Sequence, residues 1–91
     1  MWCSLPIEMS TPPADEQLRA LGRAIRRSRR ERELSQEAVA ATAGVHPNQV
    51  GRLERGDADV YTSTMLRIVA GIGVPLADVA RAYDASLSEP A

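Results

Sequence analysis

Apolar residues recur along this chain at three- and four-residue intervals, and each run is fenced by residues that start or stop a helix. Leu18, Leu21, Gly22 and Ile25 fall on one helical face. Thr11 or Asp15 is placed to cap its start, and Asp15 and Glu16 suit the free backbone donors of a first turn. That helix is predicted to run to about Arg32. Val39, Ala40 and Ala43 give Ser35 to Ala43 a small apolar face, and Val50 and Leu53 do the same for Pro47 to Arg55. Met65, Leu66, Ile68, Val69 and Ile72 form the stripe of a fourth helix beginning at Thr62 or Ser63. Gly71 and Gly73 punctuate its end, and Pro75 starts a fifth helix with Leu76, Val79, Ala80 and Tyr83. The pattern predicts an all-α fold of five helices. Its expected core is Leu21, Ile25, Val39, Val45, Val50, Leu53, Leu66, Val69 and Ile72.

Composition narrows this picture. A chain of 91 residues supports one small domain, and with no Phe its core must be aliphatic. Pro6, Pro12 and Pro13 break helices, and Trp2, Leu5 and Ile7 follow no helical period, so residues 1–13 are expected to be a tail. The domain is expected over 14–83, its central motif over 35–55, and a short polar tail over 84–91. The lone Cys3 excludes an internal disulfide, and one Cys with one His cannot make a zinc site. No metal or cofactor is expected. Residues 1–9 lack the basic start and apolar run of a signal peptide, and nothing approaches the ~18 apolar residues of a membrane span. A reducing cytoplasm is the expected setting.

The net charge of −1 conceals an asymmetry. Arg19, Arg23, Arg26, Arg27, Arg29, Arg30 and Arg32 outweigh Glu31 and Glu33, a local balance of +5, while both ends of the chain are acidic. A basic middle suits a polyanion, although an arginine-rich solvated helix face would look the same.

The most specific signal lies between Leu34 and Gly56. Ser35 is a good N-cap, Gly44 supplies a left-handed turn, and His46 is kept out of the helical region by the proline that follows. Pro47 then opens a second short helix. Asn48, Gln49, Arg52 and Arg55 are left facing outward. This is a helix-turn-helix whose second helix presents amide and guanidinium groups. With Leu34-Ser35-Gln36, Ala43-Gly44-Val45 and Leu53-Glu54-Arg55-Gly56, the stretch resembles the Cro and lambda-repressor type (XRE-type) family of helix-turn-helix regulators. The likeness runs from about Leu18 to about Tyr83.

The resemblance implies a five-helix lambda-repressor-like domain that binds the major groove of double-stranded DNA. By position, Pro47, Asn48 and Arg52 match the family's base-facing sites, with Gln49 beside them. Asn can bridge N6 and N7 of adenine, and Arg can bridge O6 and N7 of guanine. A phosphate is expected at the N-terminus of the first motif helix, near Ser35 and Gln36. Arg55 and Gly56 match a second backbone clamp, and Arg26 and Arg23 add attraction from the first helix. In the family an arginine and a glutamate placed as Arg29 and Glu54 form a partly buried structural ion pair. Three departures stand out, the first being Ser28 where the family commonly has an apolar residue. Gly51 replaces a polar helix former, either to bring backbone close to DNA or at a simple cost in helix stability. Asp57-Ala58-Asp59 is acidic where relatives are often basic, which is expected to repel phosphates.

The leading reading is a sequence-specific transcription regulator, a repressor acting as a homodimer on a near-palindromic operator. The apolar positions left for pairing are Ile72, Val74, Leu76, Val79 and Tyr83, although they could equally close the monomer core. Alternatives are an antitoxin-like or restriction-controller protein, with a protein partner, or an interaction module that has lost DNA affinity. The chain offers no nucleophile, base and orienter set, so an enzyme is not expected. With no second domain to house a pocket, a small-molecule effector is not expected either.

Overall fold

Five helices form, α1 (Ala14–Glu31), α2 (Gln36–Ala43), α3 (Pro47–Glu54), α4 (Thr62–Ile72) and α5 (Leu76–Leu87), in a computed structural model that describes residues 12–87. α1 starts without a side-chain cap: Pro13 is the N-cap residue, and its carbonyl accepts the Gln17 N–H at 3.0 Å. Of the two expected caps, Thr11 lies outside the described residues. Asp15 sits within the first turn, where its Oδ1 accepts the Glu16 N–H at 3.0 Å.

Three helix ends close in the same way. Beyond α1 the Leu34 N–H reaches back to the Arg29 carbonyl, beyond α2 Val45 reaches Ala40, and beyond α3 Asp57 reaches Arg52, at 3.0–3.2 Å. Each bond spans a residue at positive φ and satisfies a carbonyl the helix itself leaves open. Glycine fills that position after α2 (Gly44, φ 72) and α3 (Gly56, φ 81), but Glu33 (φ 57) fills it after α1.

α1 packs mainly on α5 and then on α3, while α2 lies against α4 and α3. The interior is aliphatic: Ala24, Ile25, Val39, Ala40, Val50, Leu53, Ile68, Val69, Ile72 and Val79 form one cluster, with Leu21 and Val45 half-buried against it. Gly22 sets the closeness of α1 and α3. A methyl group there would lie 2.7 Å from the Leu53 carbonyl oxygen and nearer still to that of Glu54.

Leu66 departs from the expected core, since 45% of it is exposed. At 100° per residue Met65, Ile68, Val69 and Ile72 share a face, and Leu66 lies about a quarter-turn off it. The C-terminal boundary also moves. α5 continues to Leu87 and Ser86 is only 2% exposed, its carbonyl accepting from Arg23 Nη2 at 3.1 Å. Residues 84–87 therefore belong to the domain and not to a tail. The rest of both expected tails, 1–11 and 88–91, lies outside the described residues. No single helix among the described residues is long and apolar enough to cross a membrane.

Candidate nucleic-acid interface

The α2–turn–α3 unit is fixed by local chemistry at each joint. Ser35 Oγ accepts the Ala38 N–H at 3.0 Å and so caps α2. Gly44 makes the left-handed turn. His46 Nδ1 accepts the Asn48 N–H at 3.0 Å, so the imidazole caps α3 and Pro47 takes its first position. Val50 and Leu53 are buried, Asn48 is exposed, and Pro47, Gln49 and Arg52 are half-buried. Of the four residues expected to face bases, Pro47, Asn48 and Gln49 form the first turn of α3 and Arg52 lies in its last turn, and none of them is buried.

Beneath that surface, one polar network ties three helices together. Arg29 Nε donates to Glu54 Oε2 at 2.6 Å and Nη2 to Oε1 at 3.0 Å, a bidentate pair. Arg29 Nη1 also donates to the Leu34 carbonyl at 2.8 Å, and Gln36 Nε2 donates to Glu54 Oε1 at 3.1 Å. The side chains of Arg29 and Glu54 are only 10% and 4% exposed. The hydrogen bond to Glu54 raises the already high pKa of Arg29, which keeps the guanidinium charged despite burial. Gln36 therefore has a structural role in addition to the phosphate contact expected of it, one that sequence spacing does not reveal. Gly51 faces this network: a Cβ there would meet Arg55 Nη1 at 3.0 Å and Gln36 Oε1 at 3.6 Å. Gln36 would be in ordinary contact with that Cβ, and only the flexible end of Arg55 would crowd it.

The acidic loop after α3 turns back toward the helix. Arg52 Nε donates to Asp57 Oδ2 at 2.8 Å, and Asp57 Oδ1 accepts the Asp59 N–H at 2.8 Å. Asp59 Oδ2 stands 3.8 Å from Arg52 Nη2. The hydrogen bond from Arg52 lowers the pKa of Asp57, with the Asp59 backbone N–H and the charges of Arg52 and Arg55 adding to it. The expectation of a freely repelling loop overlooked this pairing. The missed signal is an Arg and an Asp five apart across a glycine turn.

Of the remaining expected contacts, Arg55 is exposed, and Gly56 lies against the Arg19 backbone. Arg26 stands on the exposed face of α1, with Arg23, Arg27 and Arg30 along one furrow. The expected pairing residues separate. Ile72 and Val79 are 1% exposed and belong to the monomer core, which removes them from any dimer surface. Leu76 is 49% exposed, and Val74 and Tyr83 are half-buried. Leu76 and Tyr83 line an apolar groove with Leu18, Leu21 and Met65. Among the described residues no cluster of His, Cys, Asp or Glu could hold a metal ion.

A capped helix-turn-helix, with an amide- and guanidinium-bearing second helix and a buried Arg–Glu pair behind it, defines a DNA-binding transcription regulator of XRE type. The chain belongs to the helix-turn-helix domain family, which it matches over residues 20–82. Among solved structures it is similar to the clp gene regulator ClgR from C. glutamicum, at 26% identity and a TM-score of 0.71. That match covers 88% of this chain and 100% of ClgR. It is also similar to the restriction-modification controller protein C.AhdI from Aeromonas hydrophila, at 27% identity and a TM-score of 0.62, covering 68% of this chain and 94% of that one. No curated protein matches the chain.

Proposed function

We propose that the protein is a sequence-specific repressor that acts in the cytoplasm as a homodimer, reading a near-palindromic operator. Pro47, Asn48, Gln49 and Arg52 contact base edges in the major groove. Ser35, Gln36, Arg55, Gly56 and Arg26 contact the phosphate backbone. Its work is binding, with no reaction catalysed. The observation that carries this reading is the way the Arg29–Glu54–Gln36 network locks α2 against α3 from behind, leaving the polar side of α3 outward. A helix held at a fixed angle is what groove docking requires. Sequences selected from a random DNA pool by the purified protein should converge on two related half-sites about one helical turn apart. Failure to enrich any sequence would refute specific readout.

One short helix discriminates only a few base pairs, which is why two copies are proposed. With Ile72 and Val79 withdrawn, the pairing surface is the groove at Leu76 and Tyr83, with half-buried Val74 as the other candidate that remains. Sedimentation across micromolar concentrations, free and on DNA, checks this: a monomer throughout would end it. The likeness to a restriction-modification controller favours a second reading, in which the regulated gene encodes a restriction or modification enzyme. The genes next to its own would decide between that and a regulator of other genes.

A further inference from the structure

The helix that would read bases carries one guanidinium already held by a carboxylate of the following loop. The α3 turn brings the two together: the Asp57 N–H bonds to the Arg52 carbonyl at 3.0 Å across Gly56, so Asp57 folds back beside the residue five places before it. Its carboxylate is then divided. Oδ2 takes the Arg52 Nε–H at 2.8 Å, and Oδ1 takes the Asp59 N–H at 2.8 Å, which fixes the carboxylate plane. We propose that Asp57 is a specificity-determining positioning residue, which presets Arg52 to recognise guanine through its two terminal nitrogens.

This rests on the reading of Arg52 as a base contact. With Nε engaged, the N–H pairs on Nη1 and Nη2 are the remaining donors of the fork, and two parallel donors match O6 and N7 of guanine. Asp59 lies 3.8 Å from Nη2, too far to take one of those hydrogens. A long flexible side chain loses rotamer freedom when it docks on a base. An arginine fixed beforehand loses less, and a wrong base then meets a guanidinium that cannot swing aside. The same carboxylate carries a negative charge toward the duplex, so it weakens attraction to DNA of any sequence. Asp57 is thus expected to act in opposite directions on the two quantities, lowering general affinity and raising discrimination.

The test uses the full chain and the operator it selects, with the guanine of each half-site replaced in turn. Asp57→Asn removes the charge and one of the two acceptor oxygens, so Arg52 Nε and the Asp59 N–H compete for the one that is left. It should lose about tenfold in preference for guanine at the position that Arg52→Ala also loses. Its affinity for unrelated DNA should rise about twofold at low salt. Thermal melting of both variants ensures that folded proteins are compared. If Asp57→Asn keeps or sharpens the guanine preference that Arg52→Ala loses, Asp57 masks Arg52 or is indifferent to it, and the inference is overturned. If Arg52→Ala leaves base preference intact, the base-contact reading fails as well. A second measurement needs no variant. The Arg52 Nε–H resonance should stay protected from exchange both free and on operator DNA, and its loss on DNA would also overturn the inference.

Discussion

Arg29 and Glu54 show how much a single pair can hold. Their side chains are buried, each satisfies the other twice, and their remaining bonds go to Leu34 and Gln36. Removing one leaves the other as an uncompensated charge in the interior. Arg29→Ala or Glu54→Ala should therefore lower unfolding free energy by ~3–5 kcal/mol in a denaturant titration. Replacing both with apolar residues should cost much less. Asp57 is the residue whose ionisation reports its partner. Its folded pKa is lowered, so the folded state binds fewer protons than the unfolded chain at acid pH. The stability from this pair is complete above the ordinary aspartate value of 3.8 and is lost as pH falls through the lower folded value. In an NMR titration, Arg52→Ala should move the Asp57 midpoint upward toward 3.8.

At the scale of elements, two residues sit in backbones that do not suit them. Glu33 occupies a left-handed position that glycine fills after α2 and α3. Glu33→Gly should stabilise the domain by about 0.5–1 kcal/mol, relief of side-chain strain outweighing glycine's entropy cost. Gly51 is the converse, a glycine inside a helix. Only the flexible end of Arg55 crowds its missing Cβ, so Gly51→Ala should add up to ~1 kcal/mol. Gly22→Ala should cost more than about 2 kcal/mol, because the methyl would meet backbone oxygens of α3 that cannot move independently. Melting curves of the three variants check both signs. They also mark how far sequence reading carries. Gly44, Pro47 and Gly56 act on their own neighbours, so the motif and its turns were legible from spacing. Glu33 gives no local sign of its conformation. Leu66 and Ile68 are equally apolar and flank Met65, Val69 and Ile72 on opposite sides. A stripe drawn broadly enough to hold both leaves the packing of α4, chiefly on α2, to send one out and the other in. The outward side of α3 was readable because Val50 and Leu53 name the buried one. The second attachments of Gln36 and Arg52 were not, because they depend on where other helices and turns deliver Glu54 and Asp57.

Across the described residues, α1 joins the motif to α5. α1 packs more extensively on α5 than on any other helix, and Arg23 fastens the last turn through the Ser86 carbonyl. α3 packs chiefly on α1 and α2, so α5 supports it through α1, across contacts that lie far apart along the chain. Such contacts form late, because they require the loop between them to close first. On a ribosome, α3 emerges well before α5, so a nascent chain carries the residues proposed to read DNA before α5 has joined α1. A chain stopped after Gly73 should show no cooperative melting transition and no specific DNA binding, even though every expected DNA contact is present in it. On that expectation, specific DNA binding waits on the docking of α5 against α1, the pairing that the Arg23–Ser86 bond fastens.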